Sequence, residues 1–202
     1  EGGSGTPGNG ATAGGATATA QLGPVSSGGL TKTGAGTLFL NAINTYTGLT
    51  TVSNGSLGGT GVVSGPVLIA TAGTLAPGAS IGTLTVSNNL NIAGNLFIEV
   101  NNTNALTSDR SIVTGGLTNL GTGTVTVSNL GPALVLGNSF QLFSKPVVGG
   151  ASLSVAGGNL GSGLAWANNL AVDGTISVAS AVASNPTNIT FSVSGGALNL
   201  SW

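Results

Sequence analysis

Short apolar runs recur roughly every 7 to 12 residues from about Leu30 to about Val178, and no window sustains a helical period. Val62-Val63, Val67 to Ile69, Leu84 to Val86, Leu90 to Ile92, Leu96 to Val100 and Ile112-Val113 are typical. Corners rich in glycine, proline and asparagine separate them, among them Asn54-Gly55, Gly65-Pro66, Pro77-Gly78, Asn88-Asn89 and Gly94-Asn95. Longer runs alternate: Leu96, Ile98 and Val100 share one parity, Phe97 and Glu99 the other, and Leu38 and Leu40 face inward with Phe39 pointing out. Short strands at regular spacing suit a β-solenoid or a β-sandwich. Sandwich hairpins would normally turn charged side chains to solvent, whereas stacked coils can present ladders of Thr, Ser and Asn. Only 3% of the 202 residues are charged, against roughly 25% in an average soluble protein. The expected fold is therefore all-β: a parallel β-helix with coils of roughly 20 to 25 residues. About seven coils at about 4.8 Å would make a rod on the order of 35 Å long.

Composition narrows function further. A net charge of -1 offers no field for a polyanion, so nucleic acid is not an expected partner. No stretch of 18 apolar residues predicts a membrane-spanning helix. Disorder would call for low hydrophobicity and high net charge, and this chain has neither. Cysteine and histidine are absent, which removes disulfides, zinc ligation and a Ser-His-Asp arrangement from consideration.

The chain divides into three parts. Residues 1–27 form a Gly/Ala/Thr-rich extension, flexible or able to pair with a sheet edge, within which Pro7 and Pro24 limit any strand. Residues 28–182 carry the solenoid pattern. Residues 183–202 form a β-hairpin in which Ile189, Phe191 and Val193 alternate, Ser194-Gly195-Gly196 turns, and Leu198, Leu200 and Trp202 alternate again.

The most specific phrase lies between Leu30 and Leu57. It comprises Leu30-Thr31-Lys32-Thr33-Gly34-Ala35-Gly36-Thr37-Leu38, Asn44-Thr45-Tyr46-Thr47-Gly48, Thr50-Thr51-Val52 and Gly55-Ser56-Leu57. This order resembles the autotransporter-associated β-strand repeat. Its marker residues here are Leu30, Thr31, Lys32, Gly34, Gly36, Leu38, Tyr46, Gly48, Thr51, Gly55 and Leu57. Gly73 to Gly78, Gly82 to Val86 and Asp109 to Gly115 also look like passenger regions of that family. The resemblance implies a right-handed β-helix, bacterial and placed at the cell surface or outside the cell. Passengers of the family often hold many repeats and precede a membrane barrel. One clear copy and no barrel imply a processed fragment or a short secreted relative.

Chemistry finds few candidates. Glu99, Asp109 and Asp173 are the carboxylates within the fold, and Glu99 with Asp109 is the closest pair. Acid–base catalysis needs such groups gathered together, so no catalytic residue, cofactor site or metal ligand is assigned and no enzyme is expected. Asp109-Arg110 reads as an ion pair or loop clasp, and Lys32 and Lys145 as exposed, solubilising lysines. Phe39, Tyr46, Trp166 and Trp202 could stack on sugars, but their scatter favours core or interface packing, and a glycan partner has no support here. Neither end looks like the charged cap that keeps a strand edge from stacking. The leading expectation is a secreted structural protein that assembles head to tail with itself, its tail Ile189, Phe191, Val193, Leu198, Leu200 and Trp202 completing a neighbour's sheet. The alternative is an adhesin passenger or stalk.

Overall fold

Each turn of the chain lays one short strand on each of three parallel sheets. In the computed structural model, which describes residues 28–181 and 190–201, the first sheet stacks β1 (Leu30–Lys32), β4 (Thr50–Val52), β7 (Val67–Ile69), β10 (Leu90–Ile92) and β13 (Leu117–Asn119). The second stacks β2 (Thr37–Phe39), β5 (Gly55–Gly58), β8 (Gly73–Leu75), β11 (Asn95–Val100), β14 (Thr124–Asn129) and β16 (Ser154–Gly157). The third stacks β3 (Ile43–Asn44), β6 (Val62–Val63), β9 (Thr83–Val86) and β12 (Arg110–Val113). Sequential strands never pair within these sheets, so the architecture is the expected parallel β-helix.

Register turns the sequence pattern into a core. Thr50, Val67, Leu90 and Leu117 form one inward row, and Val52, Ile69, Ile92 and Asn119 another, all buried. Leu57, Leu75, Leu96 and Val125 make the matching row of the second sheet. Each fully buried Val, Leu or Ile contributes roughly 1.5–3 kcal/mol, so the stacked rows are the main source of stability. Outward positions carry the polar ladder; Thr124 Oγ1 and Ser154 Oγ, on adjacent rungs, share a 2.9 Å hydrogen bond.

Coil length is uneven. Leu30 pairs with Thr50, Thr50 with Val67, Val67 with Leu90, and Leu90 with Leu117, so successive coils take 20, 17, 23 and 27 residues. A last coil continues through the Ser111–Phe143 and Thr118–Val148 bridges to β16. The second sheet is six strands deep, about 24 Å at about 4.8 Å per rung. That is shorter than the seven-coil rod expected. The later coils carry longer loops, and the apolar runs beyond β16 do not stack in parallel.

Those runs close the far end instead. β15 (Ser139–Gln141), β17 (Leu164–Asn169) and β18 (Thr175–Ser180) form an antiparallel sheet with β18 in the middle. β17 lies against the last coil. Trp166 Nε1 donates to the Gly157 carbonyl at 3.0 Å, and Asn168 Nδ2 donates to the carbonyls of Gly150 and Leu153 at 3.0 and 2.7 Å. The Trp166 ring also meets Phe140 edge to face, centroids 6.1 Å apart. Trp166 thus occupies a carbonyl of β16, the end strand of the second sheet, and Asn168 fastens β17 to the turn that precedes β16. Finally, β19 (Thr190–Ser194) and β20 (Ala197–Ser201) form the expected hairpin, turning on Gly195 and Gly196 at φ 61° and 80°. Two positive φ angles suit the twist of a two-residue hairpin loop. No helix among the described residues is long and apolar enough to cross a membrane.

Candidate functional site

The marker residues of the opening phrase come together as the first two coils, and their duties there are structural. Lys32 is a clamp, not a free surface charge. Its ammonium donates to the carbonyls of Thr33 (2.9 Å), Gly34 (2.6 Å) and, one rung on, Asn54 (3.2 Å). Burial against that corner lowers its pKa from the ordinary lysine value. The Lys145 ammonium makes a second clamp farther along, donating to the carbonyls of Thr114 (3.2 Å) and Gly115 (2.8 Å). In place of the exposed, solubilising lysines expected from the sequence, both are half-buried, and their ammonium groups are bonded to backbone carbonyls at the surface.

Glycine appears where the rungs approach most closely. Gly55 sits at φ 71°, and a β-carbon there would run into the Gly34 and Gly36 carbonyls. A β-carbon on Gly48 would lie 2.5 Å from the backbone of Gly28. Tyr46 is fully buried, its hydroxyl 2.6 Å from the equally buried Thr50 Oγ1. Leu57 is buried, Leu30 and Leu38 are half-buried, and Thr31 pairs with Thr51.

Those half-buried leucines mark an open end. β1, β2 and β3 each end their sheet, with no strand beyond them among the described residues. β1 bonds to β4 through Leu30, whose N–H donates to Leu49 O at 3.0 Å, and Lys32, whose carbonyl accepts from Ser53 N–H at 2.9 Å. In a parallel ladder the N–H and C=O of Thr31 therefore point the other way. The bonds Ser56 N–H to Gly36 O (3.2 Å) and Leu40 N–H to Gly58 O (3.0 Å) turn Thr37 and Phe39 outward likewise. Ile43 on β3 is 66% exposed.

The expected assembly tail is partly in view. Val193 and Leu198 are cross-strand partners and are 70% and 63% exposed. Phe191 and Leu200 pair on the same hairpin. Ile189 and Trp202, like the whole 1–27 extension, lie outside the described residues.

Sequence reasoning named Asp109 but not its partners. Its carboxylate is buried, Oδ1 accepting from Gly82 N–H at 2.9 Å and Oδ2 from Glu99 N–H at 2.8 Å. This is the clasp, made to backbone. It ties the loop entering β9 to the end of β11, at Glu99. Burial pushes the Asp109 carboxyl up to about 7, against the pull of its two N–H donors, and the neighbouring Glu99 adds to the rise. In the loop after β11, Asn101 Oδ1 accepts from Thr103 N–H (3.0 Å) and Thr103 Oγ1 (2.7 Å), while the buried Asn102 Oδ1 has no partner among the described residues. Among the described residues no three His, Cys, Asp or Glu gather as a metal site. Trp166 belongs to the closed end and Tyr46 to the core.

Residues 30–58 match the family model described as passenger-associated-transport-repeat. The chain carries this repeat. Its bounds coincide with β1 through β5, so the passenger-associated-transport-repeat supplies the first coil and the first two strands of the second, with the Lys32 clamp and the Gly55 corner inside it. No curated protein and no solved structure matches the chain significantly.

Proposed function

We propose that this chain is an exported, non-catalytic structural protein of bacteria that assembles with copies of itself through the strand edges of its first coil. One observation carries the reading: the two ends of the stack are built differently. The far end is plugged by β17 and its side-chain bonds to the last coil. The near end presents outward backbone groups on Thr31, Thr37 and Phe39 above half-buried Leu30 and Leu38. Such an edge is a template for another strand. The tail hairpin of a second copy, with Val193 and Leu198 exposed, fits this role: its backbone would continue the ladder and its apolar side chains would cover the leucines. A contact of that kind does not close on itself and gives a filament. The passenger-associated-transport-repeat supports export to the cell surface or beyond.

The test is electron microscopy and sedimentation of the native protein, with and without residues 182–202. Fibres from the full chain and monomers from the shortened one support the reading. A full chain that stays monomeric at high concentration, without fibres, overturns it. The plugged end favours a second reading, a stalk that ends where β17 closes it. Isolated rods tethered to a larger precursor would select that reading.

A further inference from the structure

The second sheet carries a cleft on its outer face, outside the buried core. Leu57 pairs with Leu75 and Leu75 with Leu96, so the next residues along one outward row are Gly58, Ala76 and Phe97, with Phe39 opposite Gly58 at the row's start. Two phenyl rings thus bound a row whose middle positions are the smallest available. A β-carbon on Gly58 would lie 3.0 Å from Phe39 Cε1 and 2.7 Å from Ala76 O, so any side chain there would fill the floor. The loop 76–80 forms one wall, and Thr37, Ser56, Ser80 and Glu99 form the rim of a space of about 190 Å³. The Asp109 clasp frames it by holding both Glu99 and Gly82.

We propose that this cleft binds one neutral hexose ring of a polysaccharide. Size decides first: about 190 Å³ lies below the roughly 300–1,000 Å³ of pockets for drug-sized ligands, which leaves room for a single ring and not for a peptide or a lipid chain. Chemistry decides next. Phe39 and Phe97, the latter 39% exposed, offer faces to the C–H side of a sugar. The hydroxyls of Thr37, Ser56 and Ser80 and the Glu99 carboxylate have no hydrogen-bond partner among the described residues and can meet sugar hydroxyls. Charge decides last. The lining holds two carboxyl groups and no cation, so uronates, sialylated glycans and phosphates are disfavoured. The cleft lies on the flank of the stack and runs from β2, the end strand of the second sheet, to β11, so its Phe39 side borders the open edge while its Phe97 side does not.

Calorimetric titration and saturation-transfer NMR of the full chain would use cellotetraose and β-1,4-galactotetraose as probes, with tetragalacturonate as the anionic counterpart. Saturable binding of at least one neutral probe is expected, with tetragalacturonate weaker. Phe97→Ala should weaken it by about tenfold or more with the thermal midpoint and circular dichroism retained, and Phe97→Trp should restore it. Saturation by neither neutral probe, equal binding of tetragalacturonate, or binding indifferent to Phe97→Ala would overturn the assignment.

Discussion

Gly55 shows how narrowly a corner can be specified by one missing atom. Its left-handed φ of 71° and the carbonyls of Gly34 and Gly36 behind it leave no room for a β-carbon. Gly55→Ala should therefore cost about 2 kcal/mol or more, the left-handed penalty plus the rung displacement, read as a lower urea midpoint. Tyr46→Phe should cost about 1–3 kcal/mol, because it strands the buried Thr50 hydroxyl. Asp109 makes a prediction about pH. Its folded-state pKa of about 7 exceeds the ordinary 3.8, so the folded state binds the proton more tightly. Its contribution is fully present below the unfolded value and is lost as pH rises through the folded one. The urea midpoint of the wild type should decline between pH 3.8 and about 7, and Asp109→Asn should flatten that slope while lowering stability overall, since an amide cannot accept at both ends of the clasp. Chemical denaturation across that range checks both.

At the scale of the element, strands were legible and their partners less so. The alternation of Leu96, Ile98 and Val100 against Phe97 and Glu99 appears intact in β11, because period two follows from backbone geometry alone. Asn54-Gly55 turns as expected, with Gly55 N–H donating to Asn54 Oδ1 at 2.7 Å. What alternation lacks is direction. Leu164 with Trp166 and Ile176 with Val178 read like any solenoid strands, yet they form a hairpin, because the segment between them turns: Val172 is 73% exposed, and Asp173 Oδ1 accepts from Thr175 N–H at 3.0 Å. Nothing in period two separates parallel from antiparallel pairing. The outer cleft was equally hidden, since Phe39 and Phe97 are far apart in sequence and come to the two ends of one outward row only through the register of four rungs. The Asp109-Arg110 pair suggested a clasp, but its backbone donors at Gly82 and Glu99 needed the loops in place. The closing hairpin can be tested on its own terms. Trp166→Ala should cost about 2 kcal/mol, less than the roughly 3–5 of a fully buried aromatic, because Trp166 is only half-buried. It should also leave the Gly157 carbonyl unmasked and increase aggregation in light scattering.

For the whole molecule, the question is which end grows. Proline at Thr31 and Thr37 would delete outward N–H groups while sparing the bonds that β1 and β2 make inward through Leu30, Lys32, Gly36 and Leu40. The double variant Thr31→Pro/Thr37→Pro should keep a thermal midpoint within a few degrees of wild type and yet fail to elongate fibre seeds, as judged by microscopy. Elongation at the wild-type rate would place growth elsewhere. The uneven coils add one more consequence. Turns of 20 and 17 residues at the open end give way to turns of 23 and 27, and the added residues lie in the loops 76–82 and 101–109, so the longest loops gather toward the closed end. In a head-to-tail string those loops would recur once per copy, always nearer the same end, and would give the fibre a direction.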